Sequence, residues 1–208
     1  ITETALQPDL GYNQGNERPE AEYFTAKLIA SLRRFNLLPA IVFVPTRRGC
    51  DEAAAEVSFD RSQPQDPERQ EIRQRMFNEY AAENPEIRGH KHRKILINSG
   101  VAAHHAGHIP IWKLLVEKMM SAGLLNAIFA TSTVAAGVDF PARTVVLSNA
   151  DTRGNDGWRP LSASELQQMT GRAGGAAAAW VAAALTAAIL LAGGDILLAA
   201  QSSEVKTP

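Results

Sequence analysis

Short, continuously apolar runs alternate along this chain with longer stretches whose apolar positions recur at helical spacing. Over 22–35 the apolar residues Phe24, Leu28, Ile29 and Leu32 fall near one face of a 3.6-residue period, which predicts an amphipathic helix. Residues 40–44, Ala-Ile-Val-Phe-Val, are apolar throughout and rich in β-branched and aromatic side chains. Such a run suits a strand buried on both faces of a parallel sheet. A loop is expected over 45–49 and a helix over 50–57. Ser62 to Pro67 is rich in turn residues. Residues 68–82 then predict a highly charged helix, most simply one with a solvated face.

Ser99 and Gly100 close the next segment, and 101–104 predicts a strand. Pro110 opens a helix to about Ala122, its missing N–H costing nothing in the first turn. Residues 126–130 and 144–147 predict two further strands. Ser162 and Glu165 form a capping-box pattern, so a helix starts there and runs through Gln168. Strands alternating with helices predict an α/β fold with a parallel sheet. Residues 1–20 are polar with Pro8, Gly11, Gly15 and Pro19, and read as a linker entering a domain over 21–175. The alanine-rich stretch 176–208 is expected to be the last strand and helix of that domain, or sequence of poor definition. Its uncharged part is at the short limit for a membrane span and lacks basic flanks, so no membrane association is expected.

Composition narrows the function. Apolar residues make up 45% and charged residues 21%, an ordinary globular balance. The formal net charge of −1 gives no global basic field, so any nucleic-acid contact must come from a local groove. A single cysteine, Cys50, excludes an internal disulfide framework and fits a reducing compartment such as the cytoplasm. The chain opens on Ile1 with no basic-then-apolar leader. From that start a piece of a longer protein is expected.

In open parallel sheets ligands sit at the carboxyl ends of the strands, and four chemically distinctive segments fall there. Pro45-Thr46-Arg47-Arg48 can offer a turn and an arginine to phosphate, although a surface arginine pair is commonly just solvated. His104-His105-Ala106-Gly107-His108, with His90 and His92, invites a zinc reading. Adjacent histidines on a strand point in opposite directions, and no cysteine pair or His-Glu-x-x-His accompanies them, so no metal site is expected. In the third segment Thr131 and Thr133 can donate hydroxyls to phosphate. Gly137 allows a tight turn, and Asp139 can accept from a ribose hydroxyl. An ordinary strand-to-helix loop is the alternative. The fourth, Gln168-Met169-Thr170-Gly171-Arg172-Ala173-Gly174, sets an arginine beside glycines near a helix. An arginine against a γ-phosphate is worth about 10³–10⁵ in rate, or roughly 4–7 kcal/mol.

Taken whole, the pattern Ala-Thr-x-x-x-Ala-x-Gly-Val-Asp-x-Pro-Ala-Arg over 130–143 resembles motif V of superfamily-2 helicases, and 168–174 resembles motif VI. The Thr46-Arg47 segment resembles motif IV, and His-His-Ala-Gly resembles a backbone-contacting segment of superkiller-type DExH-box helicases. The four occur in family order over about residues 20–175. The resemblance implies the second RecA-like domain of such an enzyme, a three-layer α/β domain with a parallel sheet and helices on both faces. It implies that Thr46, Arg47, His105, Gly107, Thr131 and Thr133 bind single-stranded RNA or DNA. It also implies that Gly137, Asp139 and Arg172 hold ATP, with Gln168 and Arg172 acting in catalysis. The pattern departs at Gly175, where the family carries a second arginine.

No Gly-x-x-x-x-Gly-Lys-Ser/Thr loop is present, and no Asp-Glu-x-His or Asp-Glu-Ala-Asp segment to hold Mg²⁺. Those groups are expected on a first motor domain, absent here, which would also supply the Mg²⁺ ligands for ATP. The expected function is the second motor domain of an ATP-dependent helicase, RNA being favoured over DNA, with this chain alone neither hydrolysing ATP nor unwinding duplexes. A catalytically silent nucleic-acid-binding module of the same fold is the alternative.

Overall fold

The structure, a computed structural model, describes residues 24–61, 63–132, 141–148, 151–154, 157–170 and 197–201. The apolar runs form strands β1 (Ala40–Phe43), β2 (Val101–His104), β3 (Ala127–Ala130) and β4 (Thr144–Leu147), and every residue of the four is buried. They lie side by side and parallel in the order β2-β3-β1-β4. A short strand, Leu197–Gln201, pairs antiparallel with the outer side of β4. A two-stranded antiparallel ribbon, Asp151–Gly154 with Gly157–Pro160, stands apart from this sheet. In chain order these last three strands are β5 and β6, the ribbon, and β7, the sheet edge.

Alternate side chains of each strand feed two cores, which makes the fold three-layered. Val42, Ala103, Phe129 and Val146 face helices α1 (Phe24–Arg34) and α2 (Arg47–Phe59), packing on Ile29, Leu32, Ala54 and Val57. Ile41, Phe43, Ile128, Val145 and Leu147 face the opposite layer. That layer contains α3 (Pro67–Glu83), α5 (Pro110–Ser121) and α6 (Ala163–Thr170), through Phe77, Trp112, Leu115, Met119 and Met169. The short helix α4 (Arg93–Ser99) closes the edge, with Leu96 and Ile97 in the second core.

Helices α2 and α3 differ from the sequence expectation, and α4 and the β5–β6 ribbon are additions to it. Helix α2 begins at Arg47, not Cys50, because Thr46 takes the N-cap and its Oγ accepts the Gly49 N–H at 3.0 Å. The charged helix α3 has a solvated face but also a buried one: Arg73, Phe77 and Ala81, four residues apart, point inward. Arg73, 2% exposed, donates Nε to Ile97 O at 2.7 Å and Nη1 to Leu124 O at 3.0 Å. It thereby satisfies carbonyls at the end of α4 and beyond α5 that would otherwise be buried and unpaired. Between α4 and β2 the chain reverses at Gly100, φ +63°, where a Cβ would sit 3.0 Å from Arg73 Nη1.

Candidate nucleic-acid interface

The parallel strands end together, so the loops leaving β1, β2 and β3 share one edge of the sheet. Register puts Phe43 beside Ala130, and Ala130 beside His104. The Val44 N–H donates to Ala130 O at 2.8 Å and the Ser148 N–H to Phe43 O at 3.0 Å, extending this alignment past the strands. After β1 the chain turns tightly into α2. A Cβ on Gly49 would come within 2.8 Å of Val44 Cγ1 and 3.0 Å of Thr46 Oγ1, so a larger residue would force the Val44 and Thr46 side chains to shift. Thr46 uses an oxygen lone pair as the cap, which leaves its hydroxyl hydrogen free to donate. Arg47 and Arg48 are exposed on the first turn of α2, where free N–H groups also favour an anion. Arg48 is paired with Glu52 at 2.7 Å.

The Arg47 side chain crosses to the next loop: its Cδ lies 3.5 Å from the position a Gly107 Cβ would take. The fold therefore joins two of the expected strand-binding residues. His105 behaves differently. Its ring is buried and hydrogen-bonds Asp51 Oδ1 through Nε2 at 3.0 Å, while Nδ1 accepts the Gly107 N–H at 3.1 Å. The His105 ring thus shapes the loop from beneath, and Ala106 and Gly107 form its exposed crest. Neighbouring His104 points the other way, onto Glu117 at 2.8 Å, as adjacent positions leaving a strand require. Thr131, next to the end of β3, is buried. Gln168 is exposed on α6, whose start is closed by the predicted capping box: the Glu165 N–H donates to Ser162 Oγ at 3.2 Å, and the Ser162 N–H to Glu165 Oε2 at 2.9 Å. Thr133, Gly137, Asp139 and Arg172 lie outside the described residues.

Sequence reasoning missed Asp51. Three of the five histidines, His92, His105 and His108, stand at this one carboxylate, and a fourth, His90, packs on the His92 and His108 rings. His108 Nε2 stands 3.4 Å and His92 Nε2 3.5 Å from Asp51 Oδ1, and Lys91 Nζ binds Oδ2 at 2.6 Å. His90 stacks on Trp112 at 3.6 Å and meets His108 Nδ1 at 3.2 Å. Burial, reinforced by the mutual proximity of the rings, pushes His108 down to about 3 and His90 down to about 4. Burial also lowers His92. For Asp51, burial pushes the carboxyl up, but the hydrogen bonds from Lys91 and His105 and the His92 ring hold it below the usual range. Burial thus disfavours the charged form of His90, His92 and His108, beside a carboxylate held ionised and paired with Lys91. A helix-borne aspartate reads in sequence as a solvated charge, and nothing in its spacing links it to residues 90–108.

A cleft of about 230 Å³ opens between α1 and α2, lined by Thr25, Leu28, Val44, Glu52 and Glu56 among others. Its lining is mainly apolar, and Glu52 and Glu56 bring negative charge that disfavours a polyphosphate.

No family model matches the chain. Curated relatives do. It is 39% identical over 139 residues to the chloroplastic DExH-box ATP-dependent RNA helicase DExH15 of Arabidopsis thaliana, covering 67% of this chain and 12% of that protein. It is 38% identical over 151 residues to the human superkiller complex protein 2, covering 71% and 12% respectively. The homologues of this chain are superkiller-related DExH-box helicases. With the probable helicase HelY of Mycobacterium tuberculosis the identity is 35% over 168 residues, 79% of this chain and 18% of that protein. The chain therefore spans under a fifth of the length of these relatives. Within this helicase homologue the α/β core has the layered form expected of a RecA-like domain. Among the described residues no helix is long and apolar enough to cross a membrane.

Proposed function

We propose that this chain is the second RecA-like motor domain of an ATP-dependent helicase, with the domain spanning about residues 21–175. It binds one strand across its carboxyl edge and completes an ATP site with a preceding motor domain. The observation that carries this reading is the alignment of the β1 and β2 loops, with the exposed Arg47 lying over Gly107. Exposed backbone, a free Thr46 hydroxyl hydrogen, the α2 N-terminus and a guanidinium are the donors a sugar-phosphate backbone needs. Kinship with helicases supports the same conclusion. RNA is the favoured strand, in keeping with the RNA helicase named among the relatives, and a reducing compartment such as the cytoplasm suits the buried thiol of Cys50.

For ATP, Gly137, Asp139 and Arg172 would take the nucleotide and Gln168, exposed on α6, would join Arg172 at the phosphates. The Mg²⁺ ligands would come from the preceding domain. Bound ATP supplies the free energy for closing and reopening the two domains, and each cycle moves the edge loops along the strand. A catalytically silent binding module is favoured by one observation, Gly175 in place of the family's second arginine.

The test is fluorescence anisotropy of a labelled single strand, RNA against DNA, over a series of salt concentrations. Arg47→Ala should weaken binding and reduce the slope of log affinity against log salt by about 0.7, one phosphate contact on a single strand. Arg75→Ala, an exposed arginine on α3, should leave both unchanged. Equal effects from the two variants would refute an edge-specific strand site.

A further inference from the structure

The assembly around Asp51 has the dimensions of a metal site. Asp51, His105 and His108 each offer one donor atom, and these three atoms lie within 4.8 Å of one another. A tetrahedral ion with nitrogen and oxygen donors at about 2.0–2.1 Å requires those donors to be about 3.3–3.4 Å apart. The distances from Asp51 Oδ1 to His105 and His108 are 3.0 and 3.4 Å. A third imidazole, His92, stands beside the group with Nε2 at 3.5 Å from the same oxygen, and the fourth position is left to solvent.

A second observation points the same way. His108 Nε2 is buried and makes no hydrogen bond, although it faces that carboxylate. A buried ring nitrogen left unpaired is costly, and an ion at the centre would satisfy it. The surroundings also hold the donors in place, as supporting groups do in metal sites. Lys91 fixes the other carboxylate oxygen, and His90, stacked on Trp112, meets the far nitrogen of His108. The His105 and His108 rings stack at 4.0 Å. Asp51, with 21% of its side chain exposed, gives an ion a way in from solvent.

We propose that Asp51, His105 and His108 bind a divalent transition-metal ion, of which Zn²⁺ suits two imidazoles and a carboxylate best. This does not rest on strand binding. It has one consequence for the edge. Without an ion the Gly107 N–H donates to His105 Nδ1, so the ring's proton sits on Nε2, facing Asp51. An ion on Nε2 moves that proton to Nδ1, with none gained or lost, and releases the Gly107 N–H from the ring. Metal loading thus frees a backbone donor on the exposed crest of the loop.

The test strips the purified chain with a chelator and titrates it with Co²⁺, then displaces Co²⁺ with Zn²⁺. The expected result is one Co²⁺ per chain with the visible absorption of a tetrahedral ion, and a shift of the Gly107 amide and His105 ring nitrogens in ¹⁵N spectra. Asp51→Asn and His108→Gln should each weaken binding by about a hundredfold or more, the loss of an ion-contacting group exceeding that of an outer one. His104→Gln, outside the donor set, should not. Because such variants can unfold, the wild-type titration decides independently. A folded wild-type chain that takes up no Co²⁺ at micromolar concentration overturns the proposal, as does uptake unchanged in folded Asp51→Asn.

Discussion

Replacing Arg73 with methionine probes the fold where a charged side chain serves as an internal brace. Arg73 is 2% exposed and spends two well-formed hydrogen bonds, 2.7 and 3.0 Å, on Ile97 O and Leu124 O, with a longer contact of 3.5 Å to Asn98 O. Methionine retains most of the aliphatic volume and adapts to the space, so the cavity contribution is small. What remains is the loss of two charge-assisted bonds, each worth about 1.5–3 kcal/mol, with both carbonyls left unpaired. Burying the guanidinium costs energy that the variant recovers, which reduces the sum. The net destabilisation is about 2–4 kcal/mol. With a urea slope of about 2 kcal/mol per molar, the midpoint should fall by about 1–2 M while the slope stays constant. Arg73→Lys should recover part of this, since an ammonium reaches fewer carbonyls than a planar fork. Urea denaturation followed by circular dichroism gives the answer. A midpoint within about 0.3 M of wild type would mean that the carbonyls find other partners and that the brace is unnecessary.

Three further outcomes are expected. Thr46→Ala removes the N-cap of α2 and should lower stability by about 1 kcal/mol in the same denaturation assay, with Thr46→Ser nearly neutral. Glu165, held down to about 2 chiefly by its hydrogen bond from Arg159 and also by the Ser162 donors, should titrate in ¹³C spectra well below ordinary glutamates. Because its pKa is depressed, its contribution to the α6 cap is full above the usual carboxylate range and is lost as pH falls towards 2; Arg159→Ala should move the midpoint upward. Cys50, buried and pushed up to about 12 by desolvation and by neighbouring Asp51, should resist alkylation at pH 8 until the chain is unfolded. Rapid labelling of the native chain would contradict that placement.

The legible parts of the fold were those where one physical signal dominates. Residues 40–44, 101–103, 127–130 and 145–147 are apolar on both faces, and such runs have few places to go except the middle of a covered parallel sheet. Ser162 and Glu165 announced the start of α6 through reciprocal hydrogen bonding. The start of α2 was misread because Pro45 and two arginines look like a loop, whereas the Thr46 cap decides the boundary locally. The inward face of α3 was masked by charge: Arg73 counts as polar in any pattern, yet it is buried beside Phe77. The β5–β6 ribbon carries no alternation of apolar and polar residues that would signal it. At the candidate edge, motif resemblance singles out Arg47 and Gly107 separately, and their proximity is a product of the fold. The gathering of histidines on Asp51 joins α2 to segments some 40 to 57 residues away, as the separations of Lys91 at 40 and His105 at 54 illustrate. No local periodicity encodes such a contact.

The most direct measurement is hydrogen exchange of the chain with and without a saturating single-stranded oligonucleotide. Strand binding across the carboxyl edge predicts slowed exchange at 44–50 and 104–109, around the exposed Arg47 and the Gly107 crest, with little change around Arg69 and Asn126 at the opposite end of the sheet. Slowed exchange confined to that opposite end, or a chain that binds no strand at all, would contradict the account.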